Sequence, residues 1–177
     1  MTSAEPSLEP VRRIVQHGRS KAYRPMARES RGVAYRAGLE AYRRGDFFEA
    51  HELLEPAWMG APDLVERDLY QGLIKLAAAY VHAVRGNPAG VTTNLRGARV
   101  RLAEAAHVDP RAGGIDLLAL VIEVERRLAR GPERAVERPL EDAPALVVVD
   151  DAEQGASRAV RAPRAHRAAR ARPAPGT

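Results

Sequence analysis

Along the middle of this chain, apolar positions recur with helical period and change phase at short polar junctions. Residues 34–44 align Tyr35, Gly38, Leu39 and Tyr42 on one stripe and stop at Gly45, which predicts an amphipathic helix closed by a glycine. Asp46 followed by Glu49 is a capping-box pattern that opens a second helix. That helix is expected to reach about Trp58, with Pro56 kinking or shortening its last turn. Asp63 with Glu66 repeats the signature at the head of a third helix running to Arg85. Leu69, Leu73, Ile74, Leu76, Ala77, Ala79, Tyr80, Val81 and Val84 make it apolar nearly all round, so it belongs at the centre. Gly86 ends it, and Asn87-Pro88 opens a fourth helix with Val91, Leu95, Ala98, Leu102 and Ala105 inward. After Asp109-Pro110 and Gly113-Gly114, a fifth helix is expected to bury Leu117, Leu118, Val121, Ile122, Val124 and Leu128 and to end at Gly131-Pro132. The core shows no strand-like alternation. The pattern predicts an all-α fold, a compact bundle of about five antiparallel helices over residues 32–131.

The flanks read differently. Residues 1–31 contain three prolines and scattered arginines, and are expected to form a flexible basic arm with a short helical turn near residues 11–16. Residues 132–177 lack a core pattern and are expected to be a disordered tail, with 146–149 as a short strand-like or docking segment. Charge separates the same regions. The net +5 resolves into +4 for residues 1–31, zero for 32–131, −5 for 132–154 and +6 for 155–177. High basicity of this origin says little about the bundle itself. It does make the Arg-rich tail a candidate for salt-sensitive contact with nucleic acid or an acidic partner. Arg158, Arg161, Arg164, Arg167 and Arg170 recur every three residues, which would align them along a polyproline II helix.

The chain has no cysteine, which removes disulfides, thiolate zinc sites and cysteine nucleophiles. Its longest apolar run, 73–84, is broken by Lys75 and His82 and falls short of the roughly 20 residues of a membrane span. The amino terminus has no signal-peptide pattern. A cytoplasmic protein without membrane contact is expected.

Candidate chemistry is concentrated on two helices. His51, Glu55 and Trp58 stand at i, i+4 and i+7 on the second helix, with Glu52 beside them. Gln71, Lys75 and His82 share a stripe of the otherwise apolar third helix. Adjacent antiparallel helices would bring the two sets together. His51, Glu55 and His82 would then offer a ligand set for zinc, iron or manganese, or an acid/base pair. The plainer reading is a mutually satisfied polar network that fixes packing, with Trp58, Phe47 and Phe48 as core anchors. Lys75 argues against a metal, because a cation on the same stripe would repel one. The second histidine of a zincin motif is missing, since Glu55 stands at its position.

Two resemblances follow from these residues. Tyr42, Gly45, Asp46, Phe47, Ala50 and Ala57 are similar to the helical hairpin of tetratricopeptide repeats, and the junctions at Gly45-Asp46 and Gly86-Asn87 lie 41 residues apart. More specifically, GDFFEAHELLEPAW followed by LYQGLIKLAAAYVHAVRGN resembles the bacterial helical family catalogued as domain of unknown function 309, over residues 32–104. Phe48, Glu49, Ala50, His51, Glu52, Glu55, Trp58, Gly72, Leu73, Ile74, His82, Gly86 and Asn87 carry the match. Lys75 departs from it, where the family commonly has glutamine. The resemblance implies a small all-α bundle and supplies no activity. The expectation is a non-enzymatic scaffold or binding module with a buried His/Glu network and no cofactor. The alternative is a metal-dependent or acid/base enzyme using His51, Glu52, Glu55 and His82, with a divalent ion.

Overall fold

The computed structural model describes residues 12–149. Seven helices fill most of this span: α1 (Arg28–Arg43), α2 (Phe47–Gly60), α3 (Leu64–Val84), α4 (Pro88–Val108), α5 (Leu117–Arg130), α6 (Glu133–Glu137) and α7 (Pro139–Asp142). The fold is an all-α bundle in which α1 to α5 pack against one another in chain order and α3 sits at the centre. The junction chemistry sets the helix starts. Asp46 Oδ1 accepts from Glu49 N at 3.0 Å, Asp63 Oδ1 from Glu66 N at 2.9 Å, and Asn87 Oδ1 from Gly90 N at 2.9 Å, each satisfying an N–H that the helix itself leaves unpaired. Pro56 does not shorten α2, which continues through it to Gly60.

The core joins the helices through Leu54, Leu69, Leu76, Tyr80, Leu95, Leu102, Leu117 and Leu120, all fully buried. Tyr42, Phe47 and Tyr80 form a chain of tilted and edge-on rings with centroids 5.2–5.3 Å apart. Gly72 lets α3 approach α4 closely. A Cβ there would stand 2.7 Å from Leu102 Cγ and 3.1 Å from the Leu102 backbone nitrogen. On α5, Leu118 and Ile122 depart from expectation and face outward, because α5 closes one side of the bundle and buries only Leu117, Leu120 and Val124.

Both flanks are more structured than their composition suggests. Residues 12–23 are not a helical turn in a loose arm. They form a β-hairpin, β1 (Arg12–Gln16) paired antiparallel with β2 (Arg19–Tyr23), with Gln16 opposite Arg19 and Arg12 opposite Tyr23. His17 (φ 48°) and Gly18 (φ 72°) make its two-residue turn, where consecutive positive φ values match the strand twist. Beyond Gly131, α6 and α7 pack back on α3. Tyr80 donates to both the backbone oxygen and the carboxylate of Asp142 at 3.0 Å, and Arg130 also pairs with that carboxylate. Residues 146–149 dock beside the start of α5 through an Ile115–Val148 bridge, with Leu146 buried. The basic residues 155–177 lie outside the described residues, as does Val11.

Candidate functional site

The polar residues predicted to face one another across α2 and α3 divide into four places. Trp58 and Gln71 meet at the hairpin. Trp58 Nε1 donates to Gln16 Oε1 at 3.4 Å, and Gln16 Nε2 donates to Gln71 Oε1 at 3.1 Å. His51, Glu52 and Glu55 form a second group near the start of α2. His51 Nδ1 lies 3.1 Å from Glu52 Oε1, and one ligand atom from each of the three falls within 4.8 Å of the others. Lys75 is a third place, against α4. His82 is the fourth: its ring lies beside Gly90 and its Nδ1 is 3.1 Å from Asn87 Nδ2, at the turn between α3 and α4. The expected contact of His82 with His51 or Glu55 is not made, and His51 and Glu55 are half-buried rather than enclosed. The reason is geometric. His82 stands on the last turn of α3, where the polar junction into α4 supplies a nearer partner than α2 does.

The polar centre forms where the hairpin turn meets α3. Asp68 is nearly inaccessible. Its carboxylate accepts from Gln16 Nε2 at 2.7 Å, from His17 Nε2 at 2.7 Å and from Arg101 Nη1 at 3.3 Å. One buried carboxylate thus ties together the hairpin, α3 and α4. A charge at that depth persists only when paired and hydrogen-bonded. The neighbouring Arg67 is fully buried and donates to the backbone carbonyls of Trp58 at 2.9 Å, Ala61 at 3.1 Å and Ala22 at 3.4 Å, and from Nε to Gln16 Oε1 at 3.4 Å. Its guanidinium also lies 5.1 Å over the Trp58 ring. Burial lowers the Arg67 pKa, with Asp68 acting in the opposite sense. Gln16, His17, Arg67, Asp68 and Arg101 escaped the sequence reading. Asp68, Gln71 and Lys75 at i, i+3 and i+7 carried a usable signal, a polar stripe on an apolar helix.

Lys75 differs from these satisfied groups. Its ammonium lies over Gly97 of α4, 3.2 Å from where a Cβ would be, one helical turn before Arg101. Burial lowers its pKa, and the charges that act on it, Arg101 and Lys21, are both cations that lower it further. Surface clefts of about 640, 500 and 330 Å³ lie beside Tyr35, Tyr42 and Tyr70, and none is lined by these polar residues.

The fold and site define a small helical bundle clamped by an N-terminal β-hairpin. Residues 35–94 match the family described as Domain of unknown function (DUF309), so this part of the chain is similar to that family. A relative is the uncharacterized protein YpuF of Bacillus subtilis strain 168, 33% identical over 78 residues. That match spans 44% of this chain and 44% of YpuF, so the chain covers less than half of that relative. No solved structure matches the chain. The family match takes in His51, Glu52, Glu55, Trp58, Asp68, Gln71, Lys75 and His82, while Gln16, His17, Lys21 and Arg101 lie outside it. Among the described residues no helix is long and apolar enough to cross a membrane.

Proposed function

We propose that this protein is a non-enzymatic helical binding module whose inward polar groups fix the packing of hairpin on bundle. One observation carries the reading: the buried Asp68 carboxylate is occupied by Gln16, His17 and Arg101 together. A carboxylate engaged by three elements at once supports a clamping role, since its hydrogen bonds hold hairpin, α3 and α4 together. The test is Asp68→Asn, followed by hydrogen exchange and denaturation. Amide protection across Arg12–Tyr23 should fall sharply and stability should drop by about 2–3 kcal/mol. Wild-type protection and stability in the variant would remove the clamp and the reading with it.

A second reading rests on the His51, Glu52 and Glu55 group, whose clustered ligand atoms suit a divalent cation. It leads to a metal-dependent or acid/base enzyme built on these three residues, with His82 held apart at the turn between α3 and α4. Calorimetric titration of untagged protein with zinc and manganese decides it. Binding that disappears in His51→Ala supports the metal reading, and no binding overturns it.

A further inference from the structure

We propose that Lys21, Lys75 and Arg101 form a binding site for a phosphate group, supplied by a nucleic-acid backbone that lies along the basic hairpin. The proposal rests on the binding-module reading and names its ligand class. Gln16 is buried, so its face of the hairpin is the one turned to the bundle, and strand alternation puts Ile14 and the paired Lys21 on that same face. Gln16 reaches Gln71 on α3, and Lys75 stands one turn further along the same stripe. Lys75 in turn lies against Gly97, one turn before Arg101 on α4. Three cations from three elements therefore converge on one ledge.

Their pairing leaves the ledge positive. Asp68 is the nearby carboxylate, and it is buried and taken by Gln16, His17 and Arg101. Arg101 spends Nη1 on Asp68, and its other N–H donors make no bond among the described residues. Among the described residues Lys75 and Lys21 make no ion pair, and the charges of Lys21 and Arg101 both act against that of Lys75. Gathering like charges at a half-buried position opposes folding, so the arrangement is stabilised only when an anion fills it. Phosphate suits it, because ammonium and guanidinium groups both donate charged hydrogen bonds to its oxygens.

The hairpin argues for a polymer. From Arg12 to Arg28 there are six basic residues and no acid, and Arg12, Arg13 and Arg19 are exposed. A two-stranded ribbon fits the major groove, and arginines along it track phosphates. A bilayer is disfavoured, since Val15 is the sole exposed large apolar side chain on the hairpin and its turn is His17-Gly18.

The experiment compares the full chain with Lys75→Gln and with the double variant Lys21→Gln/Lys75→Gln. In chloride, the Lys75→Gln protein should melt at or above the wild-type temperature, because repulsion is relieved. A clear fall would mark Lys75 as a structural cation and overturn the proposal. Pyrophosphate at matched ionic strength should raise the wild-type melting temperature by about 4 °C at roughly ten times Kd, and should not raise that of the double variant. Fluorescence anisotropy with a short DNA duplex, at several salt concentrations, should show about tenfold weaker binding in the double variant. Its log–log salt slope should be shallower by about 2, one unit for each lost lysine. A purely tail-mediated contact would leave that slope unchanged. Loss of the pyrophosphate response with an unchanged DNA slope assigns the ledge to free phosphate and overturns the nucleic-acid source. An unchanged response to both ligands overturns the site, and leaves the Asp68 test to judge the binding module separately.

Discussion

Arg67 donates to the Trp58 carbonyl at 2.9 Å while its guanidinium covers the Trp58 ring. The same side chain thus closes the end of α2 and shields the aromatic that points to the hairpin. The last carbonyls of a helix have no partner within it, and here an arginine from the next helix supplies the donors.

Replacing Arg67 by Met keeps much of the apolar stem, strands the Ala61 carbonyl and leaves the Trp58 carbonyl with only the Ala61 N–H at 3.4 Å. A loss of about 3 kcal/mol is expected in urea denaturation. A loss below about 1 kcal/mol would mean that water reaches those carbonyls.

Gly72→Ala separates packing from propensity. Alanine favours a helix interior by roughly 1 kcal/mol over glycine. At this position the added methyl meets Leu102 at 2.7 Å, with backbone close behind. Overpacking of about 1–3 kcal/mol should win, and the variant should melt lower than wild type. An equal or higher melting temperature would show that α4 can shift away.

Ending the chain after residue 131 tests where the folded unit closes. Truncation removes Asp142 from the buried Tyr80 hydroxyl and from Arg127, and uncovers the contacts of Ala135 and Leu146. Denaturation should show a loss on the order of 3–5 kcal/mol. A truncated protein as stable as the full chain would make α6 and α7 ornaments.

Four of the five tyrosines, Tyr35, Tyr42, Tyr70 and Tyr80, have hydroxyl pKa values raised first of all by burial; for Tyr80 the Asp142 carboxylate adds to it. A raised folded pKa contributes stability that is complete below the unfolded value near 10 and is lost as pH climbs above it. Absorbance at 295 nm should therefore show these four ionising together, in one cooperative step with alkaline unfolding. Gradual ionisation in a protein still folded by circular dichroism would contradict their burial.

The helices were legible in the sequence because their punctuation is local. Asp46 with Glu49, Asp63 with Glu66, and Asn87 with Pro88 each act within one turn, so no tertiary knowledge is needed. The hairpin was hidden by its arginines, which read as a solvated arm, although His17-Gly18 between two five-residue strands is a turn signal of the X-Gly kind. The candidate site was half legible for a related reason. Spacing placed Trp58 on a stripe with His51 and Glu55, and Gln71 on one with Lys75, but the acceptor that organises the centre, Asp68, depends on Gln16 and His17 arriving from outside the helices. Leu118 and Ile122 were misjudged because period alone does not say how many neighbours a helix will have.

The clamp also fixes an order of events on the ribosome. Gln16 and His17 find their acceptor on Asp68, more than fifty residues downstream, and Arg101 closes it later still. The hairpin emerges first, and its bundle-facing side stays in water until α3 and α4 have been made and paired. Contacts of such sequence separation form late because the intervening loop must close before they reward it. The amino-terminal ribbon is thus made early and locked late: it waits for α3 and α4, while Asp142, made later still, closes on Tyr80 from the other end of the chain.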